Sequence, residues 1–177
     1  SKDLIYFLNK FNRKERYFLV REALGNKEFK IGVDFRDKLQ NELKMEIPEN
    51  AFAAMDYHLD WIEVSLKLWE NKIDIVNTFE NDKNEKETRQ LNSNQEDIDF
   101  IIAFKLEDTL NLILIEAKAE TSWTNSQLDS KVKRLKKIFG EACENYKNLH
   151  IHFILMSPKE SVRLSTEKWP EWMKHKN

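Results

Sequence analysis

Apolar residues recur along this chain with two different periods. In residues 4–24 Phe, Leu and Tyr are interleaved with charges, and Gly25-Asn26 follows as a helix C-cap should. A second helix is expected over residues 35–44, broken by Ile47-Pro48. From Asn50, a suitable N-cap, to Trp69 the apolar residues are Phe52, Met55, Leu59, Ile62, Leu66 and Trp69. Their steps of three and four predict a third helix with one core-facing stripe. Residues 80–96 hold Asn, Asp, Lys, Glu, Gln and Ser around a single Leu91, the composition of a solvated loop or insertion.

The period then changes. Residues 98–106 and 110–119 are apolar, Ile-rich, and separated by Glu107-Asp108-Thr109, which reads as a hairpin. Residues 125–146 return to a helical pattern, with Leu128, Val132, Leu135, Ile138, Phe139 and Ala142 on one face. Residues 149–156 form a last strand ended by Pro158, and Trp169-Pro170-Glu171-Trp172 begins a short C-terminal helix. The predicted fold class is α/β, a small central mixed sheet with helices on both sides. Residues 1–48 form an N-terminal helical extension and residues 49–177 the core.

A length of 177 residues suits one domain with its own core. Three Gly and three Pro are too few for the turns of an all-β sandwich or barrel. No apolar run approaches the roughly 20 residues of a membrane span, and the apolar start runs directly into Lys10, Arg13, Lys14 and Arg16. With one cysteine, Cys143, there is no internal disulfide framework, and a cytoplasmic location is the simplest expectation. Cys143 borders an apolar face without a base nearby in sequence and reads as a small buried hydrophobe. The net charge is −2, so contact with phosphates would require a local basic patch.

Asp97, Asp99, Glu116 and Lys118 lie on the two Ile-rich strands. With Glu107-Asp108 as the turn, Asp99 lies across from Glu116. With Asp108-Thr109 as the turn, it lies across from Lys118. Both registers put Asp99, Glu116 and Lys118 on one face, whereas a three-residue loop pairs Asp99 with Ala117. Adjacent carboxylates on an apolar sheet repel each other, and a divalent cation removes that penalty. Hard oxygen ligands with two carboxylates suit Mg²⁺ or Mn²⁺, other positions being filled by water and phosphate oxygen. Lys118 can then orient or deprotonate the attacking water, a toolkit for phosphodiester hydrolysis. The competing reading of the trio is a surface row with a Glu–Lys ion pair of little energetic weight. Asp97 reads more readily as a solvated strand entrance than as a further ligand.

Asp99 followed by Glu116-Ala117-Lys118 and then a helix resembles the PD-(D/E)xK nuclease superfamily, the restriction-endonuclease-like fold. The likeness spans residues 50–156, in the order helix, polar stretch, strand, strand, helix, strand. It implies that Asp99 and Glu116 hold the metal, that the Ala117 carbonyl completes its shell, and that Lys118 is catalytic. Gln127 stands where members related to RecB and lambda exonuclease carry a Gln, and Lys131 stands where those members have Tyr. The Pro of the signature is absent. Glu63 or Asp56 matches the acidic residue that members often carry on the helix before the sheet.

Gln127, Lys131 and Arg134 share one helix face, and Lys133, Lys136 and Lys137 add charge, making this the most basic segment of the chain. Trp123 and Asn125 precede it and are placed to stack on a base or contact the sugar-phosphate chain. The resulting expectation is a Mg²⁺-dependent or Mn²⁺-dependent nuclease acting on DNA, with RNA as a permitted substrate. Cutting a duplex would favour a homodimer with two sites. The alternative is a catalytically silent nuclease-like domain that binds nucleic acid or a protein partner. Asp56 and Asp60 are expected on the outer side of a helix, and His58 as a core or interface residue. Trp61, Trp69, Trp169 and Trp172 are expected to pack, and His150 and His152 receive no metal.

Overall fold

A computed structural model describes residues 2–12, 14–70 and 96–174. The expected loop at 80–96 therefore lies, except for Glu96, outside the described residues. In chain order the elements are α1 (Leu4–Phe11), α2 (Glu15–Phe18) continued by a π turn (Leu19–Ala23), α3 (Val33–Leu43), β1 (Phe52–His58) and α4 (Leu59–Trp69). They are followed by β2 (Asp97–Leu106), β3 (Thr109–Ala117), α5 (Asn125–Phe139), β4 (Leu149–Met156) and a 3₁₀ turn (Glu171–Met173).

The four strands form one sheet in the order β1-β2-β3-β4. The β1–β2 and β2–β3 pairs are antiparallel, and β4 joins β3 in parallel after the α5 crossover. Both faces are covered, as the continuous apolar runs of β2 and β3 require. Ala54, Ile101, Ala103, Leu112 and Leu114 face α1, α4 and α5, whose Leu4, Leu8, Ile62, Leu66, Leu128 and Leu135 close the larger core. Ala53, Ile102, Phe104, Ile113 and Ile115 face the other way, against Phe29, Ile31, Leu39 and Ile47. The N-terminal segment thus supplies apolar residues to both sides of the sheet.

Three expected elements change. Residues 52–58, expected as the first turns of a long helix, form β1, and the helix begins only at Leu59. The run Phe52-Ala53-Ala54-Met55 is apolar on both alternations, so it satisfies a strand buried on two faces as well as a helical stripe, and pairing with β2 decides between them. The expected helix over 4–24 is interrupted at Asn12, whose ψ of 92° is extended. The Asp3 side chain caps α1 by accepting from Tyr6 N–H at 2.9 Å, and α1 buries Leu4 and Leu8. Beyond the break, Lys14 turns to the sheet and pairs with Asp97.

The helix over 125–146 stops at Phe139. Gly140 follows at φ +89°, and Asn145 Nδ2 donates to the Ile138 carbonyl at 2.9 Å. Strand β4, the break at Pro158 and the buried Trp169 follow the sequence pattern, although the C-terminal helix amounts to one 3₁₀ turn. Among the described residues, no helix is long and apolar enough to cross a membrane.

A candidate two-carboxylate site at the end of the sheet

Phe100 pairs with Ile115 and Leu106 with Thr109, so the hairpin turns at Glu107-Asp108. Glu107 takes the left-handed conformation, with φ at 53°. That register carries Asp99 to the position across from Glu116. Asp99 Oδ2 accepts a hydrogen bond from Ala117 N–H at 2.7 Å. The β2–β3 ladder thus brings together Asp99, Glu116 and the Ala117 backbone at one end of the sheet.

The neighbouring strand is irregular at the same level. Asp56 lies between the pairs Met55–Phe100 and Tyr57–Ile98, opposite Asp99. Its φ is +48°, uncommon for a residue with a side chain though tolerated by Asp. Met55 and Phe100 pack against one core, whereas Tyr57 and Ile98 belong to the other. The two strands therefore exchange faces at Asp56 and Asp99, which lets Asp99 reach sideways to β3. Asp56 itself pairs with Arg16 at 3.0 Å. Asp56, expected on the third helix, lies in β1.

Glu116 is a buried charge, only 3% exposed. Burial pushes its carboxyl above the usual carboxylate range, and the Asp99 charge adds to the rise. The hydrogen bond and charge of Lys131, with the Asp99 backbone N–H, pull the other way. Lys131 projects from α5 and pairs directly with Glu116. One turn on, Arg134 pairs with Asp60 and, at 2.9 Å, with Glu63. Glu63 also accepts from Lys67 Nζ at 2.7 Å. Residues i and i+3 of α5 thus tie the helix to β3 and to α4.

This arrangement corrects several expected positions. Lys131 and Arg134 were expected on an open basic face. Their side chains are 15% and 12% exposed and turn inward onto carboxylates. Glu63 is held by two cations and does not join Asp99 and Glu116. Gln127 is engaged at the start of α5: its Oε1 accepts from Thr124 N–H at 3.2 Å and completes a capping box. Trp123 is buried rather than presented for stacking, and Lys118 Nζ lies 4.5 Å from its ring centroid. Asn125 fastens the later loop, donating to the Ser165 carbonyl at 2.6 Å and accepting from Ser165 N–H at 2.9 Å.

Asp97 accepts from Lys14 at 2.8 Å and is paired with His58 Nδ1. The His58 ring meets Trp61 edge-on, with centroids 4.4 Å apart. Asp60 and Lys67 join this network through Arg134 and Glu63, and the signal for them along the chain is the i, i+3, i+7 spacing of Asp60, Glu63 and Lys67 on one helix face. Among the described residues, no group of three or more His, Cys, Asp or Glu is arranged to hold a metal ion. No protein-family model, curated protein or solved structure matches the chain.

Proposed function

We propose that the chain is a metal-dependent nuclease with a restriction-endonuclease-like core that hydrolyses phosphodiester bonds of DNA. The observation that carries this reading is the Asp99–Ala117 hydrogen bond across the hairpin, in a register that sets Asp99 opposite Glu116, with Lys118 as the next residue of the chain. The strand, strand, helix, strand order from β2 to β4 is consistent with it.

The donor set fits Mg²⁺ or Mn²⁺. Asp99, Glu116 and the Ala117 carbonyl are hard oxygens, and so few protein ligands suit an ion that keeps several waters. Bound there, Mg²⁺ would supply Lewis-acid chemistry, offsetting the negative charge that gathers on the phosphate. Lys118, braced on the Trp123 ring, orients the attacking water and donates to a phosphate oxygen. Gln127 acts as a positioning residue, because its capping box fixes the start of α5 beside Trp123. Lys133, Lys136 and Lys137, exposed on α5, carry the contacts to the DNA backbone. RNA presents the same phosphodiester and is the second substrate to assay.

A silent, binding-only domain has one observation in its favour: Glu116 already has a cation, Lys131. The two readings separate by incubating supercoiled plasmid and single-stranded oligonucleotide with Mg²⁺ or Mn²⁺ over a range of salt. Cleavage by the wild type that falls about a hundredfold or more in Asp99→Ala supports the nuclease. Intact DNA in every arm, or equal cutting by the variant, contradicts it.

A further inference from the structure

Lys131 is the one α5 cation paired with a carboxylate of the proposed metal pair. We propose that Lys131 is an exchangeable resident cation: its ammonium neutralises Glu116 until a divalent ion takes its place, and it then moves onto a phosphate of the nucleic acid. This inference rests on the metal-site reading above.

Glu116 is almost wholly buried, and the β2–β3 register sets Asp99 across from it. A buried carboxylate left without a counter-charge is expensive, so the folded chain needs a cation there in the absence of metal. Lys131 supplies it. An ammonium and a hydrated divalent ion cannot both occupy the same carboxylate oxygen, so the two compete.

A lysine carries a compact charge on a flexible four-carbon stem, and it can leave Glu116 without moving α5. Arg134, one turn away, cannot replace it, because its guanidinium is committed to Asp60 and Glu63. Those bonds hold α5 in place while Lys131 changes partner. The freed ammonium has three donors and no carboxylate, and a phosphate beside the same site satisfies it. Metal and polyanion would then bind cooperatively, because each favours the swung-out position.

The test titrates Mn²⁺ alone into the full chain by calorimetry, for wild type, Lys131→Met and Asp99→Ala, with the melting temperature of each measured with and without the ion. Lys131→Met is expected to be less stable without metal, to bind Mn²⁺ about tenfold more tightly than wild type, and to gain more in melting temperature from it. Asp99→Ala is expected to lose the binding. A phosphorothioate oligonucleotide, which resists cleavage, is expected to tighten Mn²⁺ binding in wild type and to have little effect in Lys131→Met. Unchanged or weaker Mn²⁺ affinity in Lys131→Met, with Asp99→Ala still abolishing binding, overturns the exchange and leaves the metal site standing. Absence of Mn²⁺ binding in all three proteins overturns both. If Lys131→Met fails to fold, Lys131→Gln removes the charge while keeping a donor for Glu116, and the same direction is expected.

Discussion

Cys143 shows how local surroundings set the chemistry of a single side chain. Its thiol is partly buried against the larger core, and burial together with Glu144 pushes its pKa up from 9.0 to about 11. The folded state therefore disfavours the thiolate. The stability this contributes is fully present below the unfolded value and is lost as pH rises from 9.0 toward about 11. Iodoacetamide at pH 8.5 is expected to alkylate the folded chain about tenfold or more slowly than the urea-unfolded chain. Equal rates would show that the thiol is not shielded. Cys143 was legible in the sequence as a small apolar residue, although the helical pattern behind that expectation ends at Phe139 and Cys143 reaches the core from the turn beyond it. The fate of Asp56 was not legible, since its left-handed conformation arises from the exchange of faces shared with β2. The inward turn of Lys131 was hidden for a related reason: nothing along α5 reveals that Glu116 lies opposite it.

Among the elements, α4 and α5 share the larger core and are tied at its border by Arg134. Its replacement by Met leaves Asp60 without its partner and Glu63 with Lys67 alone. The expected cost is about 1–3 kcal/mol, read as a lower urea midpoint with an unchanged denaturant slope. No change in midpoint would mean that the network is no more than a solvated set of ion pairs. The hairpin β2–β3 was readable because two Ile-rich runs flank a short polar turn, and that hairpin carries the candidate site. The start of the third helix was not, since a run apolar on both alternations fits a helix and a doubly buried strand alike. The end of α5 depended on Gly140 and on the Asn145 cap, which is formed by a residue five positions further along.

For the molecule as a whole, the N-terminal segment bears directly on folding. Leu4, Leu8, Phe29, Ile31, Leu39 and Ile47 are buried across both faces of the sheet. At about 1.5–3 kcal/mol each, their burial amounts to roughly 9–18 kcal/mol, at least comparable with the entire stability of a typical domain. A chain starting at residue 49 is therefore expected to lose cooperative thermal unfolding and near-ultraviolet dichroism. A sharp transition in that fragment would show the segment to be dispensable. The functional account concentrates on one place, the end of the β2–β3 ladder, where Asp99 and Glu116 converge. The most direct measurement is a crystal structure of the full chain soaked with Mn²⁺, with the ion located by its anomalous signal. The account predicts a single ion about 2.0–2.5 Å from oxygens of both Asp99 and Glu116, with Lys131 withdrawn from the latter. A well-ordered soak in which Lys131 still holds Glu116 and no ion bridges the two carboxylates would contradict it.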